Sequence, residues 1–560
     1  MCGGGPSVGP RRVATPEWTT VHSIEKDGAP PPVRTIRLGP SAAGRCRRRV
    51  HLDADPTADR SRRKPLDDGT RLRWEENDRH LARVLTAVAG SDRPTGWDPA
   101  GPERPSLVVA PELTSAHRTG RPDLLLWDTD GYVPVLVRGH RTTDPGEGAE
   151  LADLTDPLTM TVSDTRKPRP HSGDQLALAH LYRLLQELGL AASRPRGGVI
   201  GRGLHDVSGG PGDDADLVLW WGLEPMLADY DARFADRLAV VTAALTGAPA
   251  LARPSRVSEC RRCSWWPVCS AELTASHDIS LVAAGGDGEL MRAAGITTLD
   301  ELAAAPAELV AELPLTGIPA DSARLRARAM LAGVPLVRRS ERVEVPRADL
   351  ELDVDMESYG EDGAYLWGTY LSGPAVAGLG LIPGYQPFAT WRRLPDPDEG
   401  RAFAEFWAYL SRLRGLAAEH GLTFAAYCYS RQAEERWIKS TPRRYPDTPR
   451  MPSPAEVDEF CVCPQWVDMY QQIKQNFIVP GSMKLKVLAP LTGFAWRDVD
   501  PGGENSMAWY RLATDAEPDL AMAMRILEYN EDDVRATLAL RRWITARSGH
   551  VPTVAELNRD

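Results

Sequence analysis

Four side chains near the end of the chain are spaced for joint chemistry. In "LDVDMES" the carboxylates of Asp355 and Glu357 stand two apart in an alternating pattern. Successive strand side chains point to opposite faces, so both acids reach the same side. In "EYNEDDVRAT", Tyr529 and Asp533 stand four apart in a helical pattern and share one helix face. A second constellation is soft rather than hard. "CRRCSWWPVC" sets Cys260, Cys263 and Cys269 in C-x2-C-x5-C spacing, a donor set for zinc or an iron–sulfur cluster. The fourth ligand is open between His277, which is local, and Cys46, which is distant in "GPSAAGRCRRRVHLD".

Positioning these residues requires at least two α/β segments. Residues 1–34 are rich in Gly, Pro and charge without apolar periodicity and read as a disordered tail. Residues 35–277 carry a helix in "RLRWEENDRHLARVLTAVAG", short strands around the turn "TDG", and an amphipathic helix in "DQLALAHLYRLLQELGL"; this order predicts an α/β domain. Residues 278–345 hold short helices broken by Gly-Ile-Thr and Gly-Ile-Pro turns, a helical linker of helix-hairpin-helix kind. Residues 346–560 show strand patterns, a long helix, the strand "TFAAYCYS" and a terminal helix, a second α/β layout with acids at element ends.

Composition narrows the function classes. The chain has 560 residues, enough for several well-buried domains. Its opening stretch lacks an apolar core and no window approaches a membrane span, so a soluble, cytoplasmic protein with no membrane partner is expected. Eight cysteines are few for this length, and in a reducing compartment clustered ones serve metals more often than disulfides. A net charge of −11 argues against a basic nucleic-acid coat, yet it leaves room for an enzyme that combines acidic metal sites with a local basic groove.

A distant N-terminal Cys with CxxCx5C at the far end of a domain resembles the RecB-like, PD-(D/E)XK nucleases of the CRISPR-adaptation type. The resemblance implies that Cys46, Cys260, Cys263 and Cys269 hold a [4Fe–4S] cluster, with zinc as the alternative, closing a loop of over two hundred residues. It also implies a nuclease core in which "RPDLLLW" supplies Asp123. The next strand should carry Glu-x-Lys, but reads Leu136, Val137 and Arg138. Leucine cannot bind a metal and arginine cannot replace a tunable lysine, so this site is degenerate unless Glu112 or another nearby acid has moved in. Gln175 and Tyr182 stand seven apart where the family has one turn. His80 matches the family's upstream histidine or is a surface helix residue. "RCRRRVH" and "RGHR" would be phosphate contacts or solvated surface.

The Asp-x-Glu strand with a later Tyr-x3-Asp helix resembles the DEDD-type exonuclease branch of the RNase H-like fold. That resemblance implies two divalent ions, Mg or Mn, held by Asp355, Glu357, Asp533 and a central acid, with Tyr529 positioning the attacking water. Glu434, following "TFAAYCYS", is the first choice for the central acid and Asp468 in "WVDMYQQI" the second. Asp353, Asp532 and Glu435 would displace these after a register slip. Lys484 and Lys486 in "GSMKLKVLAP" resemble a Ser-Leu-Lys segment and would form a phosphate-binding strand, or else a solvated lysine pair. Cys461 and Cys463 read as unligated thiols.

The expectation is therefore an α/β multidomain protein: a RecB-like domain, a small helical linker and an RNase H-like domain. Its partner would be nucleic acid, DNA first and RNA as the alternative, and its activity 3′–5′ exonucleolytic. A non-catalytic nucleic-acid-binding scaffold and a zinc-stabilised adaptor are the competing classes.

Overall fold

The computed structural model describes residues 18–20, 35–89, 97–202, 216–499 and 503–558. The tail expected over 1–34 lies outside the described residues except Trp18–Thr20, which pairs as a strand with Ile36–Leu38. The chain divides into two compact units, one drawn from Met1–Pro65, Arg73–Leu204 and Asp214–Ala271, the other from Leu66–Leu72, His205–Asp213 and Glu272–Asp560. Among the described residues no helix is long and apolar enough to cross a membrane.

The first unit is built on a seven-stranded sheet. Leu124–Asp128 and Gly131–Val137 form its hairpin around the "TDG" turn, where Thr129 takes φ 55°. Every residue of Gly131–Val137 is buried, because helices cover both faces of the sheet. Leu136 packs with Leu178 and Tyr182 of helix Ser172–Glu187 on one face. Val133, Val135 and Val137 pack with Val84 and Leu85 of helix Asp68–Ala89 on the other. After helix Ser172–Glu187, strand Arg196–Ile200 returns parallel to Gly131–Val137.

The second unit opens on short helices, Gly286–Ala293, Leu299–Ala304, Ala307–Ala311 and Ala320–Leu331, which share a core of Met291, Leu302, Val310, Ile318 and Ala327. Val337–Arg338 then pairs with Phe477–Ile478. The main sheet of this unit has five strands. In spatial order they are Gly384–Ala389, Gly363–Ser372, Leu350–Tyr359, Phe424–Cys428 and Trp466–Asp468. The first three are antiparallel and the last two run parallel to Leu350–Tyr359.

Strand Leu350–Tyr359 alternates strictly. Leu350, Leu352 and Val354 enter an apolar core with Phe403, Phe406 and Leu413 of helix Asp398–Glu419. The intervening Glu351, Asp353, Asp355 and Glu357 must therefore share the opposite face, which meets the long helix Leu520–Arg547.

Candidate metal-binding active site

The helix facing the acidic side of that strand sets two different environments along it. Tyr529, Asp533 and Arg541 recur at multiples of four and so line one helix face. Asp533 meets Asp355 and Glu357; eight residues on, Arg541 meets Glu351 and Asp353. Eight helical residues rise about 12 Å and four strand residues about 13 Å, so the two repeats stay in step.

Arg541 is fully buried, its Nη2 donates to Asp353 at 2.6 Å, and its Nη1 donates to Glu351. Arg347 also donates to Glu351, at 2.6 Å. Burial would raise the Glu351 carboxyl, but hydrogen bonds from Arg347 and the charge of Arg541 outweigh it and hold it down to about 2.

Asp355, Glu357 and Asp533 have no such arginine partner in the described structure. Each offers an oxygen, and these oxygens lie within 4.8 Å of one another. Their hydrogen bonds come from neutral donors: Asn530 Nδ2 to Asp355 at 2.8 Å, Ser506 Oγ to Glu357 at 2.6 Å and Trp496 Nε1 to Asp533 at 2.6 Å. Burial, reinforced by the mutual repulsion of Asp533, Glu357 and Glu434, pushes Asp355 well above the carboxylate range. Burial likewise takes Glu357 up to about 8 and raises Asp533.

Glu434 occupies the first turn of helix Arg431–Arg444, next to strand Phe424–Cys428. It is buried, and its Oε2 has no hydrogen-bond partner. Burial and the charges of Asp468, Glu435 and Glu357 push it up to about 8. A desolvated carboxylate oxygen without a donor is costly unless a cation takes it. The residues present thus fit a divalent ion: hard oxygens in excess of the one nearby cation among the described residues, Lys486.

The alternatives separate by their partners. Asp353 belongs to Arg541, Asp532 accepts from Arg497 at 3.0 Å, and Glu435 pairs with Arg431 and Lys439. Asp468 caps helix Met469–Asn476 by accepting from the Gln471 N–H at 3.0 Å. The lysine segment is corrected. Lys484–Lys486 is not a strand: Leu485–Leu488 is a short helix, because Leu485 and Leu488, three apart, both enter the core. Lys484 is exposed at its N-cap, whereas Lys486 turns inward, its Nζ 2.5 Å from Tyr529 Oη and 4.4 Å from the ring centroid.

Sequence reasoning missed the supporting groups. Asn530 is fully buried and its Oδ1 accepts from Tyr385 at 2.8 Å. Gly368 lies opposite Asp355 in the sheet, and a Cβ there would stand 1.6 Å from Asn530 Oδ1. Asn530 follows Tyr529 directly, but nothing in one sequence marks Tyr385, Ser506, Trp496 or Gly368 as its neighbours.

The first unit's acids are arranged otherwise. Asp123 is buried and accepts from the Val137 N–H at 2.9 Å. Arg138 reaches Asp123 at 3.4 Å and Asp174 at 2.9 Å, while Leu136 is core and Glu112 is exposed. His80 is not a surface residue: it is buried, with Nδ1 2.9 Å from Arg83. Tyr182 is also buried and donates to the Ala192 carbonyl, and Gln175 is half-buried. The arginine runs are not free phosphate contacts, since Arg47 pairs with Asp236 and Arg49 with Glu259.

The four cysteines of the expected cluster form no disulfide. Cys46 is the N-cap of helix Arg47–Ala54, and its N–H donates to Glu259 at 2.6 Å. Trp265 donates to Asp53 at 2.7 Å, and the Lys64 N–H to the Ser264 carbonyl at 2.8 Å. Residues 259–269 and 46–64 are thereby stitched together. Cys263 and Cys269 share an apolar cluster with Leu52 and Trp265, and the Val257 N–H points at Cys260 Sγ at 3.4 Å. His277, the local alternative, has its Nδ1 2.8 Å from Asp300. Cys461 is buried in the core of the second unit.

A protein-family model described as RNase_H superfamily matches residues 426–545. The match starts within strand Phe424–Cys428 and takes in Glu434, Asp468, Lys486, Tyr529 and Asp533, but not Asp355 or Glu357. No curated protein and no solved structure matches the chain. The C-terminal domain is accordingly RNase H-like, within a mixed α/β protein, and that superfamily points to a nucleic-acid-hydrolysing enzyme.

Proposed function

We propose that the chain is a divalent-metal-dependent nuclease whose second unit removes nucleotides from a 3′ end, on DNA rather than RNA. The observation that carries this reading is the convergence of Asp355, Glu357 and Asp533 within 4.8 Å, next to a buried Glu434 oxygen without a donor. The strand polarity comes from the likeness to DEDD-type exonucleases.

Asp355, Glu357, Asp533 and Glu434 would hold Mg or Mn. Bound there, the ions would make hydroxide available near neutral pH and stabilise the leaving oxygen. Asn530, Ser506 and Trp496 keep the acids in place by donating to them. Tyr529 orients the attacking water, and Lys486, held on its hydroxyl, keeps a positive charge beside the acids where a phosphate enters.

In the first unit, helix Asp68–Ala89, the antiparallel strands Leu107–Val109, Leu124–Asp128 and Gly131–Val137, helix Ser172–Glu187 and the parallel strand Arg196–Ile200 follow in that order around Asp123, with further strands between, and support the RecB-like reading. Arg138 on Asp123 supports loss of its catalysis. Cys46, Cys260, Cys263 and Cys269 are the ligands of a structural [4Fe–4S] cluster or zinc ion; anaerobically purified protein that is brown and absorbs near about 400 nm identifies the cluster.

The test is Mn-dependent degradation of end-labelled single-stranded DNA and RNA by the wild type, by Asp355→Ala with Asp533→Ala, and by Asp123→Ala. Loss confined to the double variant is expected. Loss confined to Asp123→Ala would move the activity to the first unit, and an inert wild type would leave a binding scaffold.

A further inference from the structure

We infer that His140, His171 and Asp174 form a separate cation site in the first unit, built for a borderline first-row divalent ion of the zinc or cobalt(II) kind. His140 follows strand Gly131–Val137 by three residues, while His171 and Asp174 are the N-cap and third residue of helix Ser172–Glu187. The three offer ligand atoms within 4.8 Å of one another. Two imidazole nitrogens with one carboxylate oxygen suit a borderline ion, and do not suit magnesium or calcium, which take oxygen sets.

Three observations point to a ligand. His171 Nε2 is buried with no hydrogen-bond partner, and the Arg141 backbone lies in hydrogen-bonding reach of the same ring. An imidazole nitrogen buried without a partner has a lone pair to offer a metal. The rings of His140 and His171 lie 3.9 Å apart between centroids, at 39°. Two imidazolium cations would repel at this distance, whereas neutral imidazole is the ligating form.

Asp174 completes the set. Its Oδ1 accepts from Arg138 Nε at 2.9 Å, and Oδ2 lies 2.9 Å from His140 Nε2. Arg138 thus fixes the carboxylate through one oxygen and leaves the other toward the histidines. The guanidinium does not cancel the local charge, because it faces both Asp123 and Asp174. Arg169, which also bears on His171, is itself paired with Asp144. The His140 side chain is 38% exposed, so the site is open to entry. None of its three residues holds the position of the Glu-x-Lys acid or lysine.

Cobalt(II) titration of the full chain tests this, read by visible absorption, since thiolate ligation adds an intense near-ultraviolet band that a histidine–carboxylate site lacks. One equivalent of visible signal without that band is expected. It should persist in Asp355→Asn with Asp533→Asn. Losing an outer-shell partner costs roughly 10–100-fold in affinity, so His140→Ala, His171→Ala and Asp174→Asn should each weaken cobalt by about 100-fold or more. His140→Ala changes an accessible side chain, which keeps the test independent of folding; retained circular dichroism checks this for all three. A spectrum unchanged in His140→Ala with His171→Ala, or no such spectrum in the wild type at millimolar cobalt, overturns the inference.

Discussion

Glu351 and Asp353 lie on the same strand face as Asp355 and Glu357, yet the two pairs are held in opposite ways. The first pair closes on the buried Arg541. The second meets Asp533, another acid, and neutral donors. Asp123 of the first unit resembles the first pair, with Arg138 beside it. An arginine stays charged at every accessible pH, so it supplies a permanent counter-charge to Glu351, Asp353 and Asp123. Asp355, Glu357 and Asp533 together outnumber the single charge of Lys486 beside them, so the cluster must take a proton or a metal. The same residue types on the same kind of strand are thus framework in one place and a reactive centre in another.

The largest break in this comparison would come from the acids themselves. Asp355→Asn with Asp533→Asn should lower Mn-dependent cleavage by about 10³-fold, roughly 4 kcal/mol of barrier. Asp123→Asn should leave the rate unchanged, as rate assays on end-labelled DNA would read. The reverse pattern would dissolve the distinction between paired and unpaired acids.

Arg541→Met tests the framework half. It strands Asp353 in the interior and leaves Glu351 with Arg347, and breaking a buried pair in this way costs about 3–5 kcal/mol. Urea unfolding should show that loss. Adding Glu351→Gln and Asp353→Asn should recover much of it, which separates stranded charge from lost packing.

Gly368→Ala addresses the support of the reactive half. The new methyl collides with Asn530 Oδ1 and frees Asp355 from its donor, so the rate should fall about 10–100-fold, the usual effect of losing an outer-shell partner. Asn530→Ala should reproduce the effect without the collision.

The smallest effect is on pH dependence. Glu357 and Glu434 each stand at about 8 against 4.5 when unfolded. Between those values the folded protein holds protons that the unfolded chain has released, so stability falls as pH rises. Metal-free protein should melt at a lower temperature at pH 8 than at pH 5.5, Mn should reverse the loss, and Glu357→Gln should flatten the slope. A metal-free melting temperature that climbs over this range would mean that the acids are already neutralised.

Much of this was legible beforehand. Period-two alternation in "LELDVDMES" located the acids on one strand face, and four-residue spacing put Tyr529 and Asp533 on one helix face. Both rules are local, so they needed no knowledge of the fold. Glu434 was reached through its place after "TFAAYCYS". The lysine segment was misread, because "KLKVL" alternates like a strand while its Leu485 and Leu488 pack as a helical turn.

By itself, then, the sequence determined which residues share a face, where the soft donors cluster, and that the Glu-x-Lys position of the first unit is Leu-Val-Arg. Only the tertiary structure decided which acids are neutralised. Arg541 lies 190 residues from Glu351 and 188 from Asp353, Arg497 35 from Asp532, and Asn530 175 from Asp355. The histidines of "RGHR" and "RPHSGD" likewise meet only when the helix packs on its strand. Charge pairing acts through space over a few ångströms, and the chain's local periodicities carry no record of which distant side chain will occupy that space.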